Sequence, residues 1–168
     1  TLNIIKARHN EDIDLAKIPL DDEETYKLLS RGETTGVFQL ESAGMRKHLK
    51  DLKPTLLQDI IAMNALYRPG PMDYIPAYIR GKHKPDTVKY MHPLFEDIMS
   101  ETYGIGVYQE QILEIAKVFA GFSLGEADLL RKAVGKKNPV LLAEQRQKFI
   151  EGAISQGHDQ KLSEKVFD

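Results

Sequence analysis

Four cations fall close together in the C-terminal half of the chain: Arg131, Lys132, Lys136 and Lys137, with Asp128 one helical turn before the first. Arginine forks match phosphate oxygens and lysine adds a compact point charge, so such a group could clamp a phosphate chain. A second reading is equally physical. Cations near a helix C-terminus offset the helix dipole, and Asp128 can pair with Arg131 at i,i+3 or Lys132 at i,i+4.

Arg68 is another candidate, because it stands at the head of Arg68-Pro69-Gly70-Pro71. A residue before proline is pushed toward extended backbone, and the following Pro-Gly-Pro leaves little freedom. The side chain is therefore either aimed at a phosphate or tied to a nearby carboxylate that fixes the turn. Tyr108-Gln109-Glu110-Gln111 opens a helix, with Glu110 near the positive end and two amides that could meet a nucleotide.

Other chemistries find little support. His9, His48, His83, His92 and His158 are scattered without metal-ligand spacing. There is no glycine-rich phosphate loop of the P-loop type. Asp12-Ile13-Asp14 lies in a polar stretch and reads as solvated, which leaves no two-metal centre for phosphoryl transfer.

The elements that must position these side chains are mainly helical. Asp21 or Asp22 caps a helix over Glu23 to Ser30, ended by Gly32. Gly36 to Leu40 is the best candidate for a strand, and a minor one. Ser42 to Leu52 and Thr55 to Leu66 read as helices, the second with Leu56, Asp59, Ile60, Met63 and Leu66 near one face. Pro69 and Gly70 fit the centre of a type II turn. Short helices are expected at Ile75 to Lys82 and Pro93 to Met99, and a turn from Glu101 to Gly106. Ile112, Ile115, Ala116 and Phe119 recur at i, i+3, i+4, i+7 in a helix from Gln109 to Ala120. Ser123 and Glu126 then form a capping box for a helix reaching Val134, with Gly135 its terminator. Its apolar side holds Ala127, Leu129, Leu130, Ala133 and Val134, and its polar side Gly125, Asp128, Arg131 and Lys132. Asn138 and Pro139 start the next helix, and a last one begins near Gln160.

The chain has 168 residues, 42% apolar and 29% charged, no cysteine and a net charge of −2. These values suit a soluble domain, or two small lobes, in a reducing cytoplasm. No apolar run approaches the roughly 20 residues of a membrane span. The modest net charge hides polarity. Glu11 to Glu24 is acidic, whereas Arg68 to Lys89 and Arg131 to Lys148 are basic, as expected for a surface with an anionic partner or for solvated helix faces. Both ends read as helices entered or left partway, as in a piece of a longer chain.

Four segments together resemble one family. They are Glu33 to Ser42 (ETTGVFQLES), Ala65 to Met72 (ALYRPGPM), Thr102 to Gln111 (TYGIGVYQEQ) and Gly121 to Lys137 (GFSLGEADLLRKAVGKK). In this order they are similar to the bacterial replicative DNA polymerases of the C family, the alpha subunits of DNA polymerase III, and the likeness runs through essentially the whole chain. The resemblance implies that residues 1–40 are the C-terminal edge of the palm and its connection to the fingers. Residues 41–168 would be most of the fingers, truncated at the C-terminal end. The parent would be a DNA-directed DNA polymerase, and this piece would be inactive alone. Its three metal-binding aspartates, and the Mg²⁺ they hold, would lie upstream of Thr1.

Carried over residue by residue, the resemblance makes Arg131 and Lys132 contacts of the incoming nucleotide's triphosphate. The family commonly has two arginines there, and Lys132 gives the second position a compact charge in place of a planar fork. Lys136 and Lys137 take a lesser phosphate or template-backbone role, and Arg68 matches the Arg-Pro-Gly-Pro motif near the palm–fingers junction. The implied partners are template-primer DNA, deoxynucleoside triphosphates and, through other regions, further replicase subunits. Two other function classes remain at this point. A helical nucleic-acid-binding module would bind DNA in a salt-dependent way without regard to nucleotide, and a protein-interaction domain would not bind DNA.

Overall fold

The computed structural model describes the backbone of residues 1–136 and 139–168, and the side chains of these except Lys136. It contains ten α-helices and no strand among the described residues, so the mainly helical expectation holds. The chain divides into residues 1–61 and 62–168.

In the first unit, α1 (Leu2–His9) buries no residue. α2 (Glu23–Arg31) starts where the Asp22 carboxylate accepts from the Thr25 amide at 2.7 Å, and ends at Gly32 in the left-handed region. α3 (Ala43–Leu52) is capped by Ser42 and packs on α2 through buried Leu29, Met45, Leu49 and Leu52. The guanidinium of Arg46 joins the two by donating to the Gly32 carbonyl at 2.7 Å.

The strand expected at Gly36 to Leu40 is a string of turns instead. Gly36 and Gln39 both have positive φ (82° and 63°), which extended backbone does not permit. The Val37 amide bonds back to Thr34 and the Leu40 amide to Val37, while the buried Thr34 hydroxyl donates to the Leu40 carbonyl at 2.6 Å. The segment folds on itself and leaves Phe38 84% exposed, so its alternation of side chains has no sheet to serve.

α4 (Leu57–Leu66) begins two residues later than expected, and Leu56 is exposed rather than on its buried face. The Asp59 carboxylate accepts from the amides of Thr55 (2.9 Å) and Leu56 (3.2 Å), which holds those residues outside the helix as its cap.

The second unit continues through a 3-10 turn (Pro71–Tyr74), α5 (Ile75–His83) and α6 (Glu96–Met99), then α7 (Gln109–Ala120), α8 (Leu124–Lys136), α9 (Pro139–Ser155) and α10 (Gln160–Phe167). The type II turn at Arg68 to Pro71 does not form its closing bond, because Pro71 has no amide hydrogen. Gly70 does take positive φ (98°), and the Arg68 carbonyl accepts from Met72 at 3.1 Å instead. α7, α8 and α9 pack on one another around Phe95, Ala116, Phe119, Ala120, Ala127, Leu130, Phe149 and Ala153. Phe119 is fully buried, with Phe95 and Phe149 at ring separations of 5.2 and 5.9 Å. Burial of such a ring stabilises by about 1.5–3 kcal/mol.

Candidate functional site

α8 takes its place through two local decisions. The Glu126 carboxylate accepts from the Ser123 amide (2.9 Å) and hydroxyl (2.7 Å), and the Glu126 amide donates back to the Ser123 oxygen at 3.4 Å. This is the capping box read from the sequence. Small or apolar Ala127, Leu130 and Ala133 are buried against the core. Leu129 and Val134, expected on that side, are 47% and 44% exposed, because the buried stripe is only as wide as the contact with α7 and α9. Gly135 does not end the helix, which runs on to Lys136. A glycine costs helix stability, but it stops a helix only where it takes positive φ, and Gly135 does not.

The opposite side of α8 carries Asp128, Arg131 and Lys132. Asp128 Oδ1 accepts from Arg131 Nε (3.0 Å) and Nη2 (2.7 Å), and Asp128 Oδ2 lies 2.7 Å from Lys132 Nζ. One carboxylate therefore spans both cations, and the pairing expected with Arg131 or Lys132 occurs with both. The Lys132 bond, and next that of Arg131, hold the Asp128 carboxyl below its ordinary range. All three side chains remain about a third to a half open to solvent. An exposed pair of this kind adds little stability, about 0–1 kcal/mol. What it does is line up two positive groups on one exposed face.

A further contact comes from another helix. Arg131 Nη1 donates to Gln109 Oε1 at 3.1 Å, across 22 residues of sequence. Gln109 is the first residue of α7, and that helix start is set by the buried Gln111. Gln111 Oε1 accepts from the amides of Val107 (2.8 Å) and Tyr108 (2.9 Å), while its Nε2 donates to the Ile98 carbonyl (3.1 Å) and to Thr102 Oγ1 (2.8 Å). The Gln-Glu-Gln run opens a helix, as its sequence indicates, but the partner of Gln109 lies too far along the chain for spacing to indicate it.

Arg68 does not join this group. Arg68 is exposed in the turn after α4, and among the described residues no hydrogen bond or ion pair joins it to α8. Lys136 is the last residue of α8. Lys137 and Asn138 lie outside the described residues. Arg146, in the basic stretch that follows, is committed elsewhere: its Nε and Nη2 donate to the two oxygens of Asp168 at 2.8 and 3.0 Å.

Among the described residues, the Mg²⁺ implied by the resemblance finds no fitting cradle. Among the described residues no three metal-ligating side chains stand together. Asp12 pairs with Lys6 at 2.6 Å, and Asp14 accepts from the Ala16 amide at 3.0 Å. Among the described residues, no helix is long and apolar enough to cross a membrane.

Comparison with known proteins agrees with the local motifs. Residues 1–157 match the bacterial DNA polymerase III alpha subunit finger domain. The DNA polymerase III subunit alpha of Halalkalibacterium halodurans is 51% identical over 164 residues, covering 98% of this chain and 15% of that protein. The DNA polymerase III subunit alpha of Staphylococcus aureus strain COL is 54% identical over 167 residues, covering 99% of this chain and 16% of that protein. The chain thus spans about one sixth of the length of these relatives. On the extent of both matches, the chain belongs to the family of finger domains of the bacterial DNA polymerase III alpha subunit.

Proposed function

We propose that this segment serves a DNA-directed DNA polymerase of bacterial chromosome replication by holding the triphosphate of the incoming deoxynucleotide against α8. The observation that carries the reading is the pair Arg131 and Lys132, aligned by one carboxylate on an exposed helix face. Asp128 occupies the cations as a phosphate would. A triphosphate brings more negative charge and more acceptor oxygens than one carboxylate, so it competes well for the same donors. Arg131 would grip two oxygens with its fork and Lys132 would add a point charge. Charge accumulating on the leaving phosphates is stabilised by cations placed in advance, which costs no reorganisation at the moment of reaction.

The wider reading follows the family. The protein would work in the cytoplasm on template-primer DNA and deoxynucleoside triphosphates, with other replicase subunits bound through regions outside this segment. Residues 1–40 would be the palm edge and connection, and residues 41–168 the fingers. Lys136 and Lys137 would meet phosphates beyond the triphosphate, and Arg68 the junction with the palm. The Mg²⁺ ions and their aspartates belong outside this segment, and no step of the metal's chemistry is assigned to its residues.

Single-nucleotide primer extension with the full-length polymerase tests the clamp. In Arg131→Ala and in Lys132→Ala, kcat/KM for the nucleotide should fall at least about tenfold, with affinity for primed DNA unchanged. Unchanged nucleotide kinetics would overturn the assignment. A loss of DNA affinity with a shallower salt dependence would make these cations DNA-backbone contacts instead.

A further inference from the structure

We propose that Gln109 is a positioning residue for Arg131, so that the start of α7 sets the aim of a nucleotide-binding group on α8. This inference rests on the phosphate-binding reading of Arg131. Asp128 and Arg131 belong to one helix, and their contact fixes the guanidinium only relative to α8 itself. Gln109 adds a hold from a different helix, at 3.1 Å on the remaining terminal nitrogen. Three nitrogens of the guanidinium are then in use, and its plane is set by both helices. Arginine only donates, so the Gln109 atom facing it must be the amide oxygen.

The chemistry of the acceptor matters. Asp128 aligns the guanidinium but offsets its charge, whereas a neutral amide aligns it and leaves the charge available to an anion. Gln109 suits such a task because its own backbone is fixed. Gln111, two residues on, is only 7% exposed and places both donors and both acceptor sites of its amide on neighbouring groups. Thr102, which receives one of those donors, passes its hydroxyl on to the Ile105 carbonyl at 2.7 Å. The turn from Met99 to Tyr108 and the first residues of α7 are thereby one hydrogen-bonded piece. α7 also packs along α8 through the shared core, so the distance from Gln109 to Arg131 is set by both buried faces.

The test is a double-mutant cycle in the full-length polymerase, read by single-nucleotide primer extension. Gln109→Ala should raise the nucleotide KM by about two- to tenfold, the range of one solvent-exposed hydrogen bond, with kcat changed by less than about twofold. Added to Arg131→Ala, it should have no further effect, because it acts through that side chain. Gln109→Met keeps the length and removes the acceptor, and should match the alanine variant at an unchanged unfolding midpoint. If Arg131→Ala is strong and Gln109→Ala is silent or multiplies with it, the positioning role is wrong and the clamp survives. If Arg131→Ala is itself silent, the clamp fails and the positioning role with it.

Discussion

The side chains that matter most here act through what they accept or donate. Arg131 and Lys132 share Asp128, which is a cheap contact in water but a useful one for keeping two cations side by side. Gln111 is the opposite case, a buried amide whose contacts cannot be exchanged for water. Gln111→Leu would leave the Val107 and Tyr108 amides without their acceptor, and the Ile98 carbonyl and the Thr102 hydroxyl without its donor. The expected cost is about 1–3 kcal/mol, because unsatisfied buried groups pay their full desolvation. Thermal unfolding of the 168-residue chain should show a midpoint lower by several degrees. An unchanged midpoint would mean that the turn before α7 re-forms its bonds without the amide.

At the scale of elements, α8 is held where it is by its capping box and by a narrow buried stripe. α7 and α9 approach even more closely at Gly152, where an added Cβ would overlap the Ala120 carbonyl oxygen. A flexible side chain could give way there, but a backbone carbonyl cannot. Gly152→Ala would gain about 1 kcal/mol of helix propensity, and overpacking against that carbonyl costs about 1–3 kcal/mol. The clash is expected to win, and the unfolding midpoint to fall by a few degrees. Stabilisation instead would show that α9 can move off α7 without loss. Such movement would also loosen the three-helix packing on which the alignment of Arg131 depends.

The whole molecule adds a pH response located away from the cations. His158 stacks on Phe119 at 4.0 Å with the rings 9° apart, and meets the edge of His92 at 4.9 Å. Burial first, and then the neighbouring His92, lower its pKa from the ordinary value of 6.5. The unfolded chain therefore binds the proton more readily than the folded one. The stability that His158 contributes is complete above about pH 7 and is lost as the pH falls through 6.5 to the lower folded value. The chain should unfold at a lower temperature at pH 5 than at pH 7.5, at matched ionic strength, and His158→Gln should flatten that difference. The carboxylates held low, such as Asp22 and Asp128, stay charged across this window and titrate below it. An equal slope in the variant would assign the response to other groups.

Much of this was legible in the sequence because it depends on neighbours a few residues apart. The capping box of Ser123 and Glu126, the apolar repeat from Ile112 to Phe119, the stop at Gly32 and the pairing of Asp128 with the two cations are all set within one or two helical turns. The motifs that identify the family are local strings of the same kind. Three segments depart from their local pattern because a second, nonlocal condition decides them. Gly36 to Leu40 alternates like a strand, but a strand requires a partner for its backbone, and the Thr34 hydroxyl closes the segment into turns instead. Gly135 could have ended α8, but that required positive φ, which Gly135 does not take. Leu129 and Val134 are apolar, but whether an apolar side chain is buried depends on how wide a face its neighbours cover. The link from Gln109 to Arg131 was out of reach for the same reason. It joins residues that only the packing of α7 on α8 brings together, and a contact across 22 residues leaves no period in the chain. The sequence by itself thus determined which helices form, which of them carries the cations and which family they belong to. Only the tertiary structure decided which faces are covered and what holds Arg131 in place, because both depend on groups brought together by packing rather than by order along the chain.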